Sequence, residues 1–403
     1  MPTGLSARIV AFEALHDFIP LYPLYQLMFT DHGLSAAQIS TLFVIWCAVG
    51  LVVEVPSGAW ADTYSRRKLL ISGALLSAAG YATWIVLPTF AGFALGFVLW
   101  GVSSALISGT YEAFVYDELA ARSLTSRYAT LLGRARSASF VLNLAATALA
   151  APLFAAGGYA LAAAVSILSN LAQALVGRSL PKVPPRATAA PDAAMPTRRG
   201  PFAAYLAMLR SGLSEVLTLR SVRRAVLIAA LVGGFLSFDE YFPLLAREFG
   251  VPTTLVPLLI AGTVAAQAIG GALAGPAYKL PVAIIATVLG LTAVLIAGGA
   301  LSQSVWGFLP IALGYGLMQL AIVVADARLQ DTITGPARAT VTSVSGLFSG
   351  VFAIAVYAGF ALGSLWFSMA TLVAALTVPV LLTALAMPAV KISNADSKPL
   401  SKS

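Results

Sequence analysis

Charge is scarce in this 403-residue chain: Asp, Glu, Lys and Arg make up 10% of it, against about 25% in an ordinary globular domain. So few charges cannot cover a water-facing surface, which excludes a soluble cytosolic enzyme. A hydrophobic content of 59% likewise excludes a disordered chain. The one cysteine, Cys47, rules out an internal disulfide framework and any cysteine-based zinc site. Only two histidines are present, His16 and His32, and no P-loop, HExxH, Cys–His pair or GxSxG run appears. No cofactor, no metal and no catalytic centre is therefore expected. The net charge of +8 does not point to nucleic acid, because the 24 basic residues lie in loops between apolar runs. That is the pattern of a membrane protein.

What is plentiful is apolar sequence in stretches long enough to span a bilayer, roughly 20 residues each. Twelve are expected, near 9–30, 36–60, 69–88, 91–116, 130–155, 158–179, 223–246, 253–276, 281–301, 304–327, 339–364 and 367–390. The start has Arg8 as its sole basic residue and no small-residue cleavage site, so the first span is expected to stay in the mature protein. With the N-terminus inside, 23 basic residues fall on cytoplasmic segments and only Arg247 falls outside. The positive-inside rule then puts both termini in the cytoplasm, in a plasma or inner membrane. His32 and Asp31 fall in an external loop. The polar stretch 181–221, rich in Pro, Ala and Arg, reads as a linker between a bundle at 1–180 and another at 222–392, with a tail at 393–403. Part of it, 202–219, has the pattern of an amphipathic surface helix. Trp60, Trp84, Trp306 and Trp366 sit at span ends, as an interfacial aromatic belt requires.

The two halves echo each other. Gly58-Ala59-Trp60-Ala61-Asp62 ends the second span and Gly271-Ala272-Leu273-Ala274-Gly275 ends the eighth, 213 positions later. Glu112 and Asp117 recur as Asp326 and Asp331, both 214 positions on. Six spans is an even number, so both halves enter the membrane with the same orientation. Parallel repeats of this kind place a substrate site between the halves near the midplane.

The run from Gly58 through Asp62 to Arg66, Arg67 and Lys68, with twelve spans and a basic central loop, resembles the major facilitator superfamily. The family's loop between spans two and three reads G-x-L-A-D-R-x-G-R-K/R; Gly58, Asp62, Arg66 and Arg67 match, whereas Trp60, Thr63 and Ser65 depart. The resemblance implies an all-α fold of twelve transmembrane helices in two parallel-repeat six-helix bundles. It also implies alternating access, with spans 1, 4, 7 and 10 lining a central cavity. On physical grounds Gly58 lets another backbone approach, and Asp62 paired with Arg66 makes a breakable latch. Ala151-Pro152-Leu153-Phe154-Ala155-Ala156-Gly157-Gly158 is loosely similar to the drug/proton antiporter signature G-P-x-x-G-G, with the first glycine replaced and the pair displaced.

Intramembrane acids carry the mechanism, since an Asp at a helix centre costs about 2.5–3.5 kcal/mol to insert. Asp17, Glu54, Glu112, Asp239, Glu240 and Asp326 lie inside expected spans. All but Glu54 fall on the four spans that the resemblance assigns to the cavity. Asp17, about 12 Å into its helix at 1.5 Å per residue, is the strongest candidate, with His16 beside it as a relay partner. Glu112 and Asp326 lie where Arg134, Arg136, Arg328 or Arg338 can pair with them. Glu54 reads as a structural partner of the Arg66 loop. Tyr22, Tyr25, Trp46, Trp100, Tyr111 and Tyr241 are candidate aromatic walls for a cationic or amphiphilic substrate. A carboxylate in a low-dielectric cavity takes a proton at neutral pH more readily than one in water. The sequence thus predicts a monomeric secondary transporter in contact with membrane lipids. Its substrate is a small organic molecule and its coupling ion the proton, in efflux; the alternative is an uptake symporter or facilitator for a sugar, metabolite or ion.

Overall fold

The computed structural model describes residues 3–181, 210, 213–214, 216–332 and 338–387. The expected surface helix at 202–219, most of the linker and the tail lie outside the described residues. Every regular element among them is helical: α1 (Thr3–His16), α2 (Tyr25–Asp31), α3 (Ala36–Thr63), α4 (Arg66–Val86), α5 (Phe90–Ala120), α6 (Tyr128–Ser179), α7 (Arg220–Phe235), α8 (Phe242–Glu248), α9 (Val256–Ala277), α10 (Val282–Leu301), α11 (Phe308–Thr332), α12 (Arg338–Gly363) and α13 (Met369–Ala386). Ten of the described helices are long and apolar enough to cross a bilayer. Exposed Leu168, Leu175, Ile269, Val294, Leu309 and Leu385 give the outer surface an apolar coat, which suits lipid and not water.

Two departures from regular helix matter most. Pro20 and Pro23 lack backbone N–H groups, and the chain between α1 and α2 unwinds over residues 17–24. An N–H freed there, that of Leu21, donates to Ser166 Oγ at 3.0 Å, which meets the need for internal satisfaction in an apolar medium. Between α7 and α8, residues Leu236–Tyr241 form a six-residue 3-10 turn, longer than such turns usually run. Tyr315 braces it by donating to Leu236 O at 2.9 Å.

The 52-residue α6 would be about 78 Å long if straight, at 1.5 Å per residue. Instead Gly157 (φ −157°, ψ 19°) and Gly158 (φ 61°, ψ −157°) break it; the positive φ at Gly158 is one that glycine adopts without strain. Ser139, before the break, donates to Asp17. Ser169, beyond it, donates to Leu15 O at 3.0 Å. Both arms therefore meet one level of the first segment, and α6 is a hairpin. Close crossing elsewhere uses Gly270 of α9, where a Cβ would strike the backbone carbonyl of Gly316 on α11.

The turns bearing Arg66, Arg67, Lys68, Arg122 and Arg127 lie at one end of the molecule, the basic end. Arg67 Nη1 ties that end to Leu180 O at 2.9 Å and Arg8 Nη1 ties it to Ser179 O at 2.9 Å. At the opposite, far end a capping box of Ser35 and Gln38 starts α3. There Glu248 accepts from the N–H groups of Met369 (2.8 Å) and Ala370 (3.1 Å), satisfying the start of α13.

Candidate functional site

A cavity of about 700 Å³ lies between the unwound first segment, α3, α5, α6, the 3-10 turn and α9. Five carboxylates line it: Glu13, Asp17, Glu54, Glu112 and Asp239. Its one basic residue, Arg136, pairs with Glu112 at 2.6 Å. The pair is exposed, at 60% and 44% of the side chains, so the cavity is open to water on that side. The other four carboxylates have no basic partner at salt-bridge distance among the described residues. Ser104, Ser108, Ser139, Asn143 and Gln267 supply neutral polar groups.

Asp17 leaves α1 at the point of unwinding and accepts a hydrogen bond from Ser139. His16 also lines the cavity, and its Nδ1 is buried without a hydrogen-bond partner among the described residues. Asp239 faces the cavity from the 3-10 turn. Glu240, its neighbour, does not. It is 4% exposed and accepts from Tyr22 Oη (2.8 Å), from Tyr25 Oη and from Gln26 Nε2 (2.7 Å).

Several expectations are corrected here. Asp326 is exposed on α11 and lies outside the cavity lining; Arg328, on the same helix, donates instead to the carbonyls of Tyr278 (3.2 Å) and Leu280 (2.5 Å). Glu54 is not held by the Arg66 loop. It lines the cavity, while Arg66 reaches Asp117 and the carbonyls of Ala113 and Ala61 from the neighbouring elements. The side chain of Asp62 and the surroundings of Gly58 lie outside the described residues, so the expected Asp62–Arg66 latch falls there too. Of the six aromatic wall candidates only Tyr22 and Tyr111 touch the cavity. Tyr25, Trp100 and Tyr241 are buried, and Trp46 stacks on Trp100 at 5.2 Å. With Phe29, Phe43, Trp84 and Phe97 they form a packed aromatic block, because rings this large gain more from burial against each other than from contact with a wet cavity.

The far end is closed. Arg247 grips Asp31 with two nitrogens, at 2.5 and 3.2 Å, and Tyr159 Oη donates to Asp31 at 2.5 Å. Burial opposes ionisation of Asp31, but the hydrogen bonds from Arg247 and Tyr159 outweigh it and hold the carboxyl below the usual Asp range. Beneath this clasp Tyr241 Oη donates to Ser40 Oγ at 2.8 Å, and Phe43 packs on Tyr357 at 5.1 Å.

Sequence reasoning missed several of these groups. Glu13 stands four residues before Asp17, hence on the same helix face, and that spacing was available as a signal. Gln26, Ser139 and Asn143 carry no signature, and the approach of Asp31 to Arg247, 216 positions apart, has none either.

The family model described as Major Facilitator Superfamily matches residues 9–356. YxaM of Bacillus subtilis (strain 168), an uncharacterised MFS-type transporter, is 29% identical over 102 residues; the chain spans a quarter of that relative's length, and the match is a quarter of this chain. Among solved structures, the nucleoside transporter NupG superposes with a TM-score of 0.75 at 12% identity, over 96% of this chain and 99% of its own. The POT family transporter PepTSo gives 0.70 at 14%, over 96% and 98%. A bacterial homologue of the iron transporter ferroportin gives 0.67 at 14%, over 96% and 99%. Identities this low speak for a shared fold alone.

Proposed function

This chain belongs to the Major Facilitator Superfamily, and from that premise we propose that it exports a small organic cation in exchange for protons by alternating access. The observation that carries this is the cavity's charge: four carboxylates without a basic partner face one neutralised pair. A site of that composition repels anions and leaves carboxylates for which a cation and a proton compete. The exchange of one for the other is antiport.

The topology we infer has twelve crossings in two six-helix halves, 1–180 and 222–392. It counts α1 with α2 as one crossing, α6 as two, and α7, the 3-10 turn and α8 as one. Interruptions in the first and seventh crossings support the repeat, since discontinuous helices at matching positions flank transporter sites. With both termini cytoplasmic, the basic end faces the cytoplasm and this state is inward-facing. Asp17, with His16 and Glu13 beside it, and Asp239 from the other half bind the proton or the substrate; Glu112 with Arg136 stands at the mouth. Arg66, with Asp117, and Arg67 hold the basic-end turns as a gate, to which Gly58 and Asp62 belong on the sequence pattern.

Proteoliposomes equilibrated with the same concentration of ethidium, an aromatic cation, inside and out test the reading. An inward-directed proton gradient imposed across them is expected to drive ethidium against its own gradient, and collapse of the proton gradient to stop it. Equal ethidium movement with and without the gradient would remove proton coupling from the account.

A further inference from the structure

Three consecutive residues of the 3-10 turn do three different things. Asp239 lines the cavity, Glu240 sits in the buried ring of donors, and Tyr241 donates to Ser40 and lies flat on Phe360, ring centroids 3.4 Å apart. At about three residues per turn, successive side chains point some 120° apart, so one rigid turn touches the cavity, the first segment and the far-end seal at once. Tyr22 makes a second such link, since it lines the cavity and donates to Glu240 Oε1 at 2.8 Å.

We propose that Glu240 is the latch that keeps the far end shut, and that Tyr22 is its cavity-facing trigger. The proposal rests on the reading of the cavity as the transport site. All three donors to Glu240 belong to the 22–26 stretch, 214 to 218 positions away, so the latch joins the first half to the second. Each donor is neutral, and the groups facing Glu240 from the packed elements are Asp239 and Tyr241 on its own turn, Tyr22 and Tyr25 opposite, Tyr315 on α11, Tyr357 on α12 and Cys47 on α3. No basic side chain among the described residues makes a salt bridge to it. All three bonds end on its two carboxylate oxygens, and the seal leans on that pair of acceptors. An occupant of the cavity that rests against Asp239 and the Tyr22 ring draws the Tyr22 hydroxyl off Oε1. The turn then swings, carrying Tyr241 away from Ser40. Tyr22 and Glu240 act here as positioning residues: they move the seal and need not hold the substrate.

Labelling of a cysteine at the seal tests this without any substrate. Ser40, fully buried, is replaced by Ser40→Cys in a Cys47→Ser background, and the maleimide reaction rate of the full chain in lipid nanodiscs is followed. Slow labelling is expected in this parent. Glu240→Gln and Tyr22→Phe are each expected to raise the rate about tenfold, a change of about 1.4 kcal/mol in the opening equilibrium. Tyr22→Phe keeps the ring and folds even if the Gln variant does not, so it decides the matter alone if it must. Parent-like rates in Tyr22→Phe overturn the proposal. Ethidium is expected to accelerate labelling in the parent and to add nothing in Tyr22→Phe. Fast labelling in both variants with no ethidium effect in the parent supports the latch and counts instead against the cationic reading of the cavity.

Discussion

Asp17→Asn abolishes the response of transport to a proton gradient while leaving the protein folded. The substitution keeps the size of the side chain and its bond to Ser139, because an amide oxygen accepts from a hydroxyl as a carboxylate does. What it removes is the charge and the capacity to bind a proton. Asp17 stands where the first segment unwinds, on the cavity wall, within reach of whatever occupies that cavity. The gradient-driven ethidium flux is expected to fall at least about tenfold, the loss of roughly 1.4 kcal/mol of coupling. Exchange of ethidium at equal pH on both sides is expected to persist, carried by Glu13, Glu54 and Asp239. If the Asn variant still concentrates ethidium on a proton gradient, Asp17 leaves the mechanism and Asp239 becomes its leading acid.

Gly270→Val unfolds or aggregates the protein, and Gly271→Val does not. A Cβ at Gly270 would collide with the Gly316 carbonyl, which is backbone and cannot rotate away. At Gly271 the nearest atom to an added Cβ is Gln319 Cγ, at 3.9 Å, an ordinary contact. Overpacking of a tight crossing costs about 1–3 kcal/mol and sometimes more, whereas a tolerated site stays within about 0.5 kcal/mol. Thermal unfolding in detergent, read by loss of the monodisperse peak, separates the two neighbours. An equal loss in both would mean that the helices α9 and α11 do not cross as closely as described.

That contrast shows where sequence reading reaches and where it ends. Apolar run lengths are local signals, so a chain of long apolar helices was legible, and ten of the described helices are long enough to cross a bilayer. Which glycine of the pair faces the neighbour depends on helix rotation, which nothing local encodes. The acids divide in the same way. Asp17 could be ranked because a charge in an apolar run is rare, whereas Asp239 and Glu240 could not be told apart; Asp17 and Asp239 line the cavity. Glu240 follows Asp239 directly, yet the 3-10 geometry turns it the other way, into a ring of donors more than 200 positions distant. Asp326 fell out for a related reason: the sequence offset matched it with Glu112, but on α11 it lies outside the cavity lining. Aromatics misled most, since residue type alone cannot tell a cavity wall from a packed block.

The most direct measurement is the pH of a weakly buffered solution of the purified protein as ethidium is added. If cation and proton compete for the same carboxylates, binding acidifies the medium in the wild type, and Asp17→Asn binds with a smaller release. Ethidium binding that leaves the pH unchanged, or preferential binding of an organic anion in its place, would contradict the account.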